Sequence, residues 1–210
     1  MDGARRQTSA EALAREAQGG SVHAFEQLVE RFEGPLYNYL CVRTGNASAA
    51  EDLTQESFLR AWQRLSYYDP RWRFSTWLYT LAQRLAVSAH RSRGKEPTVR
   101  GDEALHDVRA GVDPSAEVEA RDEGRALWDL AAKVLREEER SALWLRYAED
   151  LSVDEIARIL GRPGVTVRVW LFRGRERLGE ALERADLAPP RAAASAPQPL
   201  LAREGAGGLS

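Results

Sequence analysis

The sequence predicts an all-α fold of two small helical domains joined by a flexible linker, the second carrying a helix-turn-helix. Three observations lead there. Across residues 10–93 apolar side chains recur every three or four positions, and no alternating strand pattern competes with them. Residues 94–114 lose that period. They collect Gly94, Pro97, Gly101, Gly111 and Pro114 among Asp102, Glu103, Asp107 and Asp113, the composition of a tether. Helical period resumes over residues 115–187, where two helical stretches are split by the turn GRPG at 161–164.

Each element follows from local signals. Residues 9–18 form a short helix stopped by Gly19-Gly20. Phe25, Leu28, Val29 and Phe32 give the next helix its apolar stripe. Gly34-Pro35 is expected to interrupt it, and Leu36, Tyr39 and Leu40 carry the period on to the turn at Gly45-Asn46. Residues 48–65, SAAEDLTQESFLRAWQRL, open with a capping box in which Ser48 caps and Glu51 reaches back. Ala50, Leu53, Ser57, Phe58, Ala61, Trp62 and Leu65 make that helix's core stripe. Asp69-Pro70 breaks the chain before a helix over residues 75–90. In the second half Leu127, Leu130, Ala131 and Val134 share a face, and Leu143, Leu145 and Tyr147 follow. Ser152 and Glu155 form a second capping box, and Val167, Leu171, Gly174 and Leu178 line the inward face of the last helix. Residues 188–210 are rich in Ala, Pro and Gly, bury no core and are expected to be disordered.

Composition bounds the function. A chain of 210 residues with 43% apolar content suits one or two modest cores. A net charge of −2 excludes a generally basic nucleic-acid binder, so any such surface is local. The lone Cys41 excludes an internal disulfide framework and reads as a small apolar residue between Leu40 and Val42. No apolar run approaches a membrane span and the N-terminus lacks a signal-peptide core, so a cytoplasmic location without membrane insertion is expected. His23, His90 and His106 have no metal-ligand spacing. No Gly-rich phosphate loop, nucleophile elbow or paired catalytic constellation occurs, which points away from an enzyme and implies no metal or cofactor.

Three stretches point instead to binding. On the helix at 48–65, Asp52, Gln55, Glu56 and Leu59 fall at i, i+3, i+4 and i+7 and form a second face. It is either a solvated face or a contact surface. Residues 71–95 hold Arg71, Arg73, Arg84, Arg91, Arg93 and Lys95 with no acid, a local charge of +6, interleaved with Trp72, Phe74, Trp77 and Tyr79. Cations attract phosphate and flat rings accept unstacked bases, so this surface suits melted single strand. Trp77, Leu81 and Leu85 are spaced for burial, leaving Arg71, Trp72, Arg73 and Phe74 as the expected exposed readers, with His90 a further candidate contact. The third stretch is the helix-turn-helix. Arg162, Arg168, Arg173, Arg175 and Arg177 against Glu176 give residues 162–177 a charge of +4, which favours duplex DNA. Thr166 and Arg168 lie in the first turn, where base edges are met. Arg173 and Arg175 lie further along and are expected to touch phosphate, while Trp170 is expected to pack inward.

The wording of these stretches carries a resemblance. AEDLTQESFLRAW followed by YDPRWRFSTWLYTLAQR resembles the second conserved region of bacterial RNA polymerase sigma factors of the sigma-70 family, in particular the extracytoplasmic-function (ECF) group. LREEERSALWLRYAEDLS with EIARILG, Thr166-Val167 and RGRERL resembles the fourth. The resemblance implies that Asp52, Gln55, Glu56 and Leu59 face core RNA polymerase. It implies that Arg84 and its neighbours lie on the helix that meets the start-proximal promoter element, and that the last helix binds the upstream element. It also implies that the linker threads through the polymerase, and it makes an anti-sigma factor a candidate partner. The chain departs from the family pattern at Arg84, Ser88, His90, Val165, Val169 and Trp170, which bears on sequence preference rather than on family.

The expected organisation is therefore 10–93 for polymerase binding and promoter melting, 94–114 as linker, 115–187 as promoter-reading helix-turn-helix and 188–210 as tail. Two other readings stay open. One is a helix-turn-helix regulator that does not bind polymerase. The other is a degenerate sigma factor acting by titration.

Overall fold

The computed structural model describes residues 8–93 and 117–185, and the linker at 94–114, His106 and the tail at 188–210 lie outside them. Among the described residues there are eight α-helices and no strand. They are α1 (Ala10–Gln18), α2 (Val22–Thr44), α3 (Ala47–Gln63), α4 (Phe74–Arg93), α5 (Glu117–Val134), α6 (Glu137–Tyr147), α7 (Val153–Leu160) and α8 (Gly164–Arg184), with a 3-10 turn at Leu65–Tyr67.

Helices α1 to α4 form the first unit, with α2 as its spine against α1, α3 and α4. Ser9 caps α1 and Ser21 caps α2 through their hydroxyls, each satisfying an orphan amide at about 1 kcal/mol. Helix α2 runs unbroken through Pro35, against expectation. Proline inside a helix removes a hydrogen bond and costs about 3 kcal/mol. Burial of Leu28 before it and of Leu36, Tyr39 and Leu40 after it holds both halves on one axis. The α3 cap also differs from the expected one. Gly45 turns the chain in the left-handed region at φ 65°, and Asn46, not Ser48, accepts the Ala49 amide at 2.8 Å. Asn46 stands in extended backbone beside that glycine, the geometry an N-cap needs, so the helix begins earlier and Ser48 falls inside it.

Helices α5 to α8 form the second unit. The capping box at Ser152 and Glu155 is present, and Gly161 closes α7 in the left-handed region. Val167, Leu171 and Gly174 of α8 face inward. A Cβ on Gly174 would lie 3.0 Å from Leu143 Cδ1, so the glycine permits the close approach of α8 to α6. Buried Glu139 accepts Arg177 Nη1 at 2.7 and 2.9 Å across the same seam.

The two units pack on each other, α4 against α7 and α2 against α6. Absence of apolar period in the linker suggests few contacts between them, and that expectation is not met. The contacts come from the helices themselves. Arg140 Nε donates to the Val42 carbonyl at 2.7 Å, Arg43 pairs with Glu137, and Thr76 Oγ1 donates to Glu155 Oε1 at 3.1 Å. Burial pulls the Arg43 and Arg140 guanidinium groups below their ordinary values, and in Arg140 the neighbouring Arg43 charge adds to this.

Candidate polymerase-facing and DNA-facing surfaces

Helix α3 is two-sided because its buried side is fully specified. Ala50, Leu53, Phe58 and Ala61 face the core, and Thr54 and Ser57 join them by donating their hydroxyls to the Ala50 and Leu53 carbonyls. That orientation turns Asp52, Gln55 and Leu59 to solvent, with Leu59 51% exposed. Glu56 is half-buried and accepts Arg60 Nε at 2.6 Å. Acid, amide and an exposed leucine thus share one outward face.

The loop before α4 is braced from inside. The Tyr68 hydroxyl donates to the Trp72 carbonyl at 2.6 Å, and Asp69 accepts the Arg71 amide and its Nε at 3.0 and 2.9 Å. Hydrogen bonds from Arg71 hold the Asp69 carboxyl below its ordinary value. Burial, with the charge of Glu11 adding to it, raises the Tyr68 phenol well above the usual range, so it stays a donor. Arg71, Trp72 and Arg73 are exposed, as expected. Phe74 is not. It is 0% exposed and lies with ring centroids 5.5 Å from Phe32, 5.5 Å from Tyr68 and 5.7 Å from Trp77. As the first residue of α4, with its amide capped by Glu11 at 3.2 Å, Phe74 turns into this aromatic cluster, and its ring is unavailable to a base. Burying a ring of that size is worth about 1.5–3 kcal/mol, which favours the core position.

Two of the exposed three meet the second unit. The Arg158 guanidinium lies 3.7 Å from the centroid of Trp72, and Arg73 Nη1 lies 3.5 Å from the Asp150 carbonyl and 3.7 Å from Glu155. Burial pushes the Glu155 carboxyl up. Hydrogen bonds from the Ser152 amide, the Ser152 hydroxyl and Thr76, with the Arg73 charge, outweigh it and hold the group below its ordinary value. Nearby, burial raises the Glu149 carboxyl, and Tyr79 and Trp144 offset part of that.

Further along α4, Arg84, His90 and Arg91 are exposed, and Arg93 ends the helix with its side chain outside the described residues. Arg84 opens onto a shallow surface hollow shared with Arg60 and Arg64 of the α3 end. Those two arginines extend the basic surface, and no local spacing signals it because only tertiary packing puts them beside Arg84.

On the second unit, Arg162, Arg168, Arg173 and Arg175 are exposed and Thr166 is half-buried. Arg175 Nη1 donates to the Tyr147 hydroxyl at 3.3 Å. Arg177, counted in the basic stretch, is committed to Glu139. Trp170 is half-buried against the core, as expected. No group of three or more His, Cys, Asp or Glu suited to a metal ion occurs among the described residues, and none of their helices is long and apolar enough to cross a membrane.

Comparison with known proteins matches both units. The family model for Sigma-70 region 2 matches residues 28–96, and that for Sigma-70, region 4 matches residues 126–178. The chain is 34% identical over 179 residues to the ECF RNA polymerase sigma factor SigW of Bacillus subtilis, a match covering 80% of this chain and 94% of that protein. It is 30% identical over 182 residues to the RNA polymerase sigma-H factor of Pseudomonas aeruginosa, covering 81% and 92%. The sigma factor RpoE from Bartonella quintana, solved in complex with the anti-sigma factor NepR, shares the fold with a TM-score of 0.62 at 22% identity, over 77% of this chain and 98% of that one. The chain belongs to the extracytoplasmic-function group of the sigma-70 family, the RNA polymerase sigma factors that bind core polymerase, bring it to promoter DNA and help start transcription.

Proposed function

We propose a division of that work among named surfaces. Asp52, Gln55, Glu56 and Leu59 of α3 meet core polymerase. Arg71, Trp72 and Arg73, with Arg84, Arg91 and Arg93 along α4, hold the melted start-proximal strand. Thr166 and Arg168 face upstream bases, while Arg162, Arg173 and Arg175 face phosphate. The proposed domains are 10–93 for polymerase binding and promoter melting and 115–187 for promoter reading, with 94–114 as the linker. The chain does no covalent chemistry itself and works in the cytoplasm, where the polymerase is. An anti-sigma factor belongs to the same proposal, by likeness to the complex with NepR.

The observation that carries it is the outward face of α3. Leu59 is exposed in line with Asp52, Gln55 and Glu56, directly opposite the buried Ala50, Leu53, Ser57, Phe58 and Ala61, while Trp62, expected in that stripe, is 41% exposed. A regulator acting without polymerase has no use for that face and leaves the match over residues 28–96 unaccounted for. The test is capture of core polymerase by the full chain and by Asp52→Lys/Glu56→Lys. Loss of capture with unchanged helicity is expected. Unchanged capture would move the docking face elsewhere. Run-off transcription separates an initiating factor from one that only titrates polymerase.

A further inference from the structure

The outer face of α8 carries a row of apolar side chains that the fold does not use. Val165, Val169 and Phe172 are 69%, 39% and 54% exposed. At about 100° per residue they fall at i, i+4 and i+7, within an arc of about 60°. The inward side chains Val167, Leu171 and Ala181, with Gly174, lie on the opposite side of the helix. Trp170, between the two faces, packs against the core and lines a hollow shared with Arg43, Gln83 and Val87 of the first unit. The row is therefore not a frayed edge of the core. A continuous apolar strip on an otherwise polar helix marks a contact surface.

Charge identifies what the strip meets. Arg168 and Arg175 flank it on one side and Arg173 on the other, all exposed. Glu176 follows at the far end and closes it off. An apolar ridge between two cationic margins fits a groove with anionic walls, which is the major groove of duplex DNA with a phosphate backbone on each side. Valine and phenylalanine neither donate nor accept hydrogen bonds, so they are blind to the polar pattern of base edges. One apolar group lies in the major groove, the C5-methyl of thymine.

We infer that Val165, Val169 and Phe172 read thymine methyl groups in the upstream promoter element, with Arg173 and Arg175 setting the helix on the phosphates on either side and Arg168 on a base edge beside the strip. The inference rests on the reading of α8 as the DNA-facing helix, and it adds a specificity device to it. Recognition at the middle of the helix then depends on thymines at fixed positions on one strand or the other. Polar side chains at 165 and 169 would have no such dependence.

The experiment uses the full chain bound to core polymerase and a duplex pool randomised upstream of a pre-melted start region. Enriched duplexes are expected to hold thymines at about two or three fixed upstream positions. Remaking them with deoxyuridine removes only the methyl groups and should weaken binding about fourfold per methyl contacted, from the scale of one buried CH₂. Val169→Ala and Phe172→Ala should weaken binding to the thymidine duplex and leave the deoxyuridine duplex unchanged. All three side chains are exposed, so the variants should keep wild-type helicity. Equal affinity for the two duplexes would overturn methyl reading while leaving α8 on DNA. An undiminished deoxyuridine penalty in Val165→Ala, Val169→Ala and Phe172→Ala would overturn the assignment to these residues. Failure to enrich any upstream sequence would overturn the DNA-facing reading itself. Loss of polymerase capture by these variants without DNA would assign the strip to a protein contact and overturn the proposal.

Discussion

The two surfaces assigned to DNA differ in how they are held. The loop at 71–73 is engaged by the second unit. Trp72 lies under Arg158, and Arg73 lies against Asp150 and Glu155. The outer face of α8 is open, with Val165, Phe172 and the flanking arginines exposed. The surface proposed to hold unpaired bases is thus partly covered by the unit proposed to read paired ones. Binding duplex with α8 asks nothing of the α4–α7 contact, whereas stacking a base on the covered face of Trp72 requires Arg158 to leave it. The difference teaches that exposure alone does not define availability, since Trp72 is 49% exposed with one ring face occupied.

One substitution breaks one side of the comparison only. Arg177→Ala leaves the buried Glu139 carboxylate without its cation. That should cost about 3 kcal/mol, the low end for breaking a buried pair because Arg177 itself is partly exposed. Chemical denaturation should show an earlier transition for the α5–α8 unit, with upstream binding lost. An unshifted transition would mean the pair is dispensable.

Next comes Trp72→Ala. Loss of a stacking platform is worth about 1–3 kcal/mol per base and is felt only after bases leave the helix. Reactivity of unpaired thymines to permanganate should fall in the polymerase complex while closed-duplex binding holds. Equal loss on closed and pre-melted promoters would indicate a folding defect. Phe74→Ala, by contrast, should act as a core cavity and destabilise by about 3–5 kcal/mol.

Arg158→Ala sharpens the comparison by uncovering Trp72. A cation–π contact is worth about 0.5–2 kcal/mol. Quenching of Trp72 fluorescence by acrylamide, taken as the difference between Arg158→Ala with and without Trp72→Phe, should rise above that in the wild-type background. No rise would mean that Arg158 does not shield the ring.

The smallest effect is in pH. Glu155 is held low, so its contribution is present above its unfolded value and is lost as pH falls through its folded one. Two of its partners belong to the first unit, Thr76 on α4 and Arg73 in the loop before it, so acid loosens the α4–α7 seam there. Glu149 runs the other way. Its raised value means that it stabilises below its unfolded value and that this is lost as pH rises through the folded one. Glu155→Gln should flatten the acid limb of stability against pH, and an unchanged limb would assign it to other carboxyls.

Much of this was legible in the chain. Helical class, element order, the Ser152 and Glu155 box and the inward turn of Val167, Leu171, Gly174 and Trp170 all follow from local spacing. What was not legible depends on distant partners. Phe74 sits among alternating aromatic and basic residues, and only Phe32 and Tyr68 decide which ring goes inside. Pro35 reads as a break until burial on both sides is known. Glu155 reads as a cap, and its second task of receiving Thr76 from 79 residues away has no local signal.

The most direct measurement is reconstituted transcription. Full-length chain and core polymerase are given a duplex selected from the randomised pool, and start sites are mapped for wild type and for Asp52→Lys/Glu56→Lys. Initiation at one fixed position is expected with wild type and none with the double variant. Initiation by the double variant at the wild-type level, or no fixed start with the wild type, would contradict it.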